Sequence, residues 1–110
     1  IANIEDETGL NNLDEISKTL GIDIIFIGLF DLSKSLGIPG DIENKRVIDK
    51  LDEAVKIIHQ NGKKVGSIAS TPEMLKILKD KKLDYITYSV DTGVIKNAYQ
   101  LIINEFRELE

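Results

Sequence analysis

The chain has 110 residues, 42% of them hydrophobic and 30% charged, with no Cys and a formal net charge of −5. That length suits one domain, and the composition excludes a disordered tail, a disulfide scaffold, a Cys-bound zinc site and thiol catalysis. The acidic balance argues against a nucleic-acid partner, and the lack of any apolar run of ~18 residues argues against a membrane span.

Ile1–Glu5 reads as the end of a strand. Thr8 to Leu20 carries Leu10, Leu13, Ile16 and Leu20 at helical spacing, and Gly21 is placed to stop that helix. Asp23 to Gly28 encloses four consecutive apolar residues, the pattern of a strand buried on both faces. A long connection follows to about Asn44, with a short helical turn expected over Asp31–Leu36 and breakers at Gly37, Pro39 and Gly40. From Glu43 to Gln60, Val47, Ile48, Leu51, Ala54, Val55 and Ile58 form one apolar helical stripe. Lys64–Ala69 is a third strand, and Ser70-Thr71-Pro72-Glu73 starts a helix that reaches about Lys81. Leu83–Val90 is a fourth strand. Asp91-Thr92-Gly93 opens a last helix that would turn Val94, Ile95, Ala98, Leu101, Ile102 and Phe106 inward, with Asp91 either its cap or a third acidic group on the rim of strand ends.

Strand and helix alternate four times, which calls for an α/β fold of βαβ units around a parallel sheet. A small open sheet and half of a (β/α)₈ barrel both fit. The chain begins at Ile1 inside an apolar stretch, which favours the half-barrel and the expectation of a longer polypeptide. Residues 1–110 are read as one domain or domain fragment. The absence of Cys accords with a cytoplasmic setting.

Chemistry in such folds sits at the C-terminal ends of the strands. Glu5 and Asp31 stand there, one βα unit apart. On adjacent strands they could share a hard divalent cation; otherwise Glu5 is a polar strand end and Asp31 caps the short helix. Gly28 either lets backbone amides approach a ligand or is a turn glycine. His59, the only His, lies near a helix C-terminus and away from the strand ends, so it is not cast as a base. Tyr85 and Tyr88 read as strand packing. No Lys falls where a Schiff base would need it: Lys34, Lys63, Lys64 and Lys96 lie in loops, strand starts or a helix.

These residues resemble a known family. Ile4-Glu5, Asn12 to Ile16, Gly21 to Asp23, Ile25 to Gly28, Asp31 to Gly40, Gly62 to Gly66 and Ser89 to Gly93 follow in order the motifs of the metal-dependent pyruvate aldolases. This group contains 2-dehydro-3-deoxyglucarate aldolase and 4-hydroxy-2-oxoheptanedioate aldolase and is related to the citrate lyase beta subunit. The resemblance implies a (β/α)₈ TIM barrel of which this chain is the C-terminal half. It puts Mg²⁺, or Mn²⁺ or Co²⁺, on Glu5 and Asp31. It puts the carboxylate of pyruvate or another small 2-oxo acid on the backbone amides of Phe30 and Asp31. The family's substrate-binding Gln falls on Asn3, a shorter amide. Leu29 replaces the usual Pro and Phe30 replaces a small residue, which narrows the pocket. The implied chemistry is class II: the metal polarises the C2 keto oxygen and stabilises a pyruvate enolate while a C–C bond breaks or forms. The family's His base and helper Arg come from the first half of its barrel.

Alternatives are a non-catalytic half-barrel that binds a metal or a small 2-oxo acid, and a structural or interaction fragment. A half-barrel has open sheet edges and lacks an opposite wall for interior residues, among them Ile25, Ile27 and Ile86 or their neighbours. The chain alone is therefore expected to be inactive, and to pair with the missing N-terminal half of the barrel or with itself as a homo-oligomer.

Overall fold

The computed structural model describes residues 1–109. Four strands, β1 (Ala2–Ile4), β2 (Ile24–Ile27), β3 (Lys64–Ala69) and β4 (Tyr85–Tyr88), form one parallel sheet in sequential order. They alternate with α1 (Glu7–Asn11), α2 (Leu13–Lys18), α3 (Leu29–Ser35), α4 (Lys45–Gln60), α5 (Pro72–Asp80) and α6 (Asp91–Glu108). Sequential order with right-handed crossovers puts the connecting helices on one face of the sheet. No helix among the described residues is long and apolar enough to cross a membrane.

The expected helix over Thr8–Leu20 is two short helices. Asn12 sits between them at φ −101°, ψ 8°, and its side-chain amide donates to the Thr8 carbonyl at 2.8 Å. A side chain that bonds the local backbone in this way competes with the helical ladder. Leu20 lies beyond the end of α2 and is 93% exposed, so it does not join the apolar stripe. α3 begins at Leu29, two residues ahead of the expected turn, with Gly28 as its N-cap. α4 and α5 start as their sequences indicate. Asn44 accepts from the Arg46 N–H at 3.0 Å, and the Thr71 hydroxyl accepts from the Met74 N–H at 3.1 Å, with Pro72 in the first turn.

The core lies between the sheet and α2–α5, where Ile25, Ile27, Leu51, Ile58, Val65 and Leu78 are fully buried. Ile25 and Ile27 therefore face the helices and not a barrel interior. The opposite face carries their neighbours along the strands. Asn3, Phe26, Gly66 and Tyr85 line up across it in register. Phe26 and Tyr85 meet edge to face at 6.3 Å. They can do so because a Cβ on Gly66 would stand only 3.0 Å from atoms of both rings.

The N-terminal ends of the strands are tied by Asp84. Its carboxylate accepts from the Val65 N–H (3.0 Å), from Lys64 Nζ (3.0 Å) and pairs with His59 Nε2 (2.8 Å). Partial burial opposes ionisation, but the Val65 amide, His59 and Lys64 outweigh it and hold the carboxyl down at about 2.

α6 departs from the sequence expectation. None of its residues is buried, and Val94, Ile95, Leu101, Ile102 and Phe106 are all exposed. The helix buries no residue against the sheet, and Tyr88 of the adjoining β4 is 48% exposed. Its cap also differs: Val90 is the N-cap, and Asp91, already inside the helix, accepts from the Thr92 N–H at 2.7 Å. The apolar stripe signals a face that needs cover, but spacing does not say what covers it.

Candidate metal and substrate site

The C-terminal ends of β1 and β2 are fastened by the Gly28 N–H, which donates to the Ile4 carbonyl at 2.9 Å. Glu5 follows β1 directly and is exposed. A Cβ on Gly28 would lie 2.9 Å from Glu5 Cγ. The Glu5 side chain thus occupies the space that any side chain at position 28 would claim. Glycine here makes room for the Glu5 side chain, a use of Gly28 that neither sequence reading named.

Gly28 also launches α3. Its carbonyl accepts the first intrahelical bond, from the Leu32 N–H at 2.9 Å. The amides of Leu29, Phe30 and Asp31 precede that bond and have no partner within the helix. Leu29 and Leu32 are 1% exposed and anchor α3 to the core, which leaves Phe30 and Asp31 on its outer side. Phe30 is 54% exposed. Asp31 lies in the first turn, where the helix dipole favours a carboxylate. It is not the helix cap, because the helix has already started.

Four hydrogen bonds set this turn in place. The buried Ser33 hydroxyl donates to the Phe30 carbonyl at 2.6 Å and accepts from the Gly40 N–H at 2.9 Å, which ties the following loop to α3. The Glu7 N–H donates to Ser35 Oγ at 3.2 Å, linking the segment after Glu5 to the same helix. Lys34 Nζ bonds Asp31 Oδ1 at 2.8 Å and lies 4.5 Å from the centre of the Phe30 ring.

Glu5 and Asp31 thus belong to one neighbourhood, the end of β1 and the first turn after β2. Asn3 is exposed on β1 and, by strand alternation, shares Glu5's face. Their chemistry fits a hard divalent ion: carboxylate oxygens on a solvent-facing surface, with room for water or ligand oxygens to complete the shell. Among the described residues no group of three or more His, Cys, Asp or Glu side chains converges as a metal site would. A cavity of about 560 Å³ lies instead between α4 and α5 and is lined by Asp52, Lys56, His59, Lys81 and Lys82 among others. It opens beside the ends of both helices, away from the strand ends where this fold does its chemistry. His59 is engaged with Asp84 at the N-terminal ends of β3 and β4, a contact that sequence spacing does not announce.

Two residues of this corner escaped sequence reasoning. Lys34 could have been found from its i,i+3 spacing to Asp31, which places both on one helix face. Ser33 carried no such signal, because a hydroxyl in a short helical turn does not announce burial.

The HpcH/HpaI aldolase/citrate lyase family model matches residues 1–98. A 2-keto-3-deoxy-L-rhamnonate aldolase of Escherichia coli O6:K15:H31 (strain 536 / UPEC) is 34% identical over 98 residues, covering 89% of this chain and 37% of the relative. The chain therefore spans well under half the length of the curated relatives it matches. A solved HpcH/HpaI aldolase/citrate lyase family protein from Burkholderia cenocepacia J2315 superposes with a TM-score of 0.90 at 28% identity, over 96% of this chain and 41% of that one. An HpcH/HpaI aldolase from Desulfitobacterium hafniense DCB-2 shares the fold with a TM-score of 0.90 at 21% identity, over 99% of this chain and 42% of that one. The four parallel βα units match these barrel-like neighbours, and the chain belongs to the HpcH/HpaI aldolase/citrate lyase family.

Proposed function

We infer that this chain supplies the metal and pyruvoyl-binding corner of an aldolase-type lyase acting on small 2-oxo acids, as four of the βα units of a (β/α)₈ barrel. The observation that carries this reading is the Gly28 cradle: it seats Glu5 beside the helix turn that presents Asp31, in a chain of this family. Glu5 and Asp31 would hold the ion, Mg²⁺, Mn²⁺ or Co²⁺, since an all-oxygen donor set accepts each. Such an ion supplies Lewis acidity, stabilising the negative charge that develops on the keto oxygen of the pyruvoyl part.

The chain's own groups do the rest of the binding. The Phe30 and Asp31 amides are placed to receive the substrate carboxylate, and the α3 dipole adds to their pull. Asn3 would orient the keto acid from β1. Phe30, bulky and exposed, narrows the approach. The base and the residues that read the aldehyde end belong to the remaining βα units. A cytoplasmic homo-oligomer accords with the Cys-free composition and the uncovered α6.

The test uses the protein at its natural length. Pyruvate release from a 4-hydroxy-2-oxo acid is followed with added Mg²⁺, Mn²⁺ or Co²⁺. Asp31→Asn and Glu5→Gln should each lose metal-dependent turnover by about 100-fold or more while the circular dichroism spectrum is kept. Undiminished turnover in both variants would overturn the assignment, and so would a borohydride-trapped pyruvate adduct on a Lys.

A further inference from the structure

Lys34 is an unexpected neighbour for a carboxylate offered to a cation. Among the described residues its ammonium bonds only Asp31 Oδ1, at 2.8 Å, and does not engage Oδ2. The two side chains are 52% and 48% exposed, and an ion pair so wet is weak enough for a divalent ion to compete with. The same ammonium lies 4.5 Å from the Phe30 ring centre, so it has a second attractive seat without leaving the site. All three residues stand on one short helix whose apolar side is locked into the core by Leu29 and Leu32. The ammonium is therefore held near Asp31 whichever partner it takes.

We propose that Lys34 is a built-in counter-ion of Asp31, a positioning residue that acts through that carboxylate to weaken divalent-cation binding and make it salt-sensitive. Without the cation, Lys34 neutralises Asp31. When a cation takes the carboxylate, the face of Phe30 keeps the ammonium close, and its charge repels the ion across a few ångströms of partly screened surface. The effect is a site that exchanges its ion readily and binds it less tightly than two carboxylates alone would. This rests on the metal assignment made above.

The test is the Mn²⁺ dissociation constant, read by electron paramagnetic resonance on the protein at its natural length, at about 20 mM and about 200 mM monovalent salt. Lys34→Gln should bind Mn²⁺ about three- to ten-fold more tightly than the unsubstituted protein at low salt, with the gap shrinking to under about two-fold at high salt. Lys34→Arg, which keeps the charge, should stay within about two-fold of the unsubstituted protein. Mn²⁺ bound by the unsubstituted protein and not by Asp31→Asn, together with unchanged or weaker binding in Lys34→Gln, would overturn the role of Lys34 and leave the metal site standing. No Mn²⁺ bound by the unsubstituted protein would overturn both.

Discussion

From β1 to α5, each helix with an apolar stripe lays it on the sheet or on a neighbouring helix. α4 alone buries Val47, Leu51, Ala54, Val55 and Ile58. α6 is the longest helix described, at 18 residues, and buries none of them. Both helices carry apolar residues at helical spacing, so the difference is in what the chain offers them. α4 lies across from β3 and α2. α6 follows a four-residue strand whose last residue, Tyr88, is itself open. Glu5 and Asp31 belong to the first two βα units, inside the packed region. The candidate site is thus held rigidly by a core to which α6 contributes nothing.

The comparison is sharpest for side-chain truncations. Leu51→Ala, in the packed region, should lower the unfolding free energy by about 2–5 kcal/mol, read from urea denaturation. Leu101→Ala, on the exposed helix, should stay within about 0.5 kcal/mol in the monomer. Equal losses would mean that α6 has a partner in solution. Gly66→Ala comes next. Its Cβ would stand 3.0 Å from Phe26, from the Tyr85 ring and from the Tyr85 carbonyl, so the row across the open sheet face must shift at a cost of about 1–3 kcal/mol.

Asp84 ties the ends of β3, β4 and α4, and its carboxyl is held down at about 2. A folded-state pKa below the unfolded value of ~3.9 adds stability that is complete above pH ~4 and lost as pH falls towards 2. After discounting for its partial exposure to solvent, the contribution is about 1–2 kcal/mol. Asp84→Asn should remove it and flatten the pH dependence of the melting temperature across that window. Gly28→Ala should also cost little, because its backbone (φ −82°, ψ 88°) suits any residue. The cost should be under about 1 kcal/mol, since only an exposed Glu5 side chain has to move. Metal affinity should nevertheless fall, because the displaced group is the carboxylate itself.

Much of the fold was legible because the signals were local. Lys64–Ala69 is a strand run that begins just after the Asn61-Gly62 breaker, and Thr71-Pro72 is a cap followed by a first-turn proline; both stand where the sequence puts them. The break at Asn12 was hidden because it depends on one side chain choosing the Thr8 carbonyl. The outward course of α6 was hidden for a different reason: hydrophobic spacing marks a buried face without naming its partner. At the site, the carboxylates could be named because strand ends are where parallel sheets place their chemistry. The contact between Glu5 and Gly28 could not, since a missing side chain carries meaning only when its neighbour's position is known.

The most direct measurement is an anomalous-scattering map from crystals of the natural-length protein soaked in Mn²⁺. The expected result is a peak about 2.1–2.3 Å from one carboxylate oxygen of Glu5 and one of Asp31, beside Gly28 and the first turn of α3. A peak bound elsewhere, with Glu5 and Asp31 both unligated, would contradict the assignment.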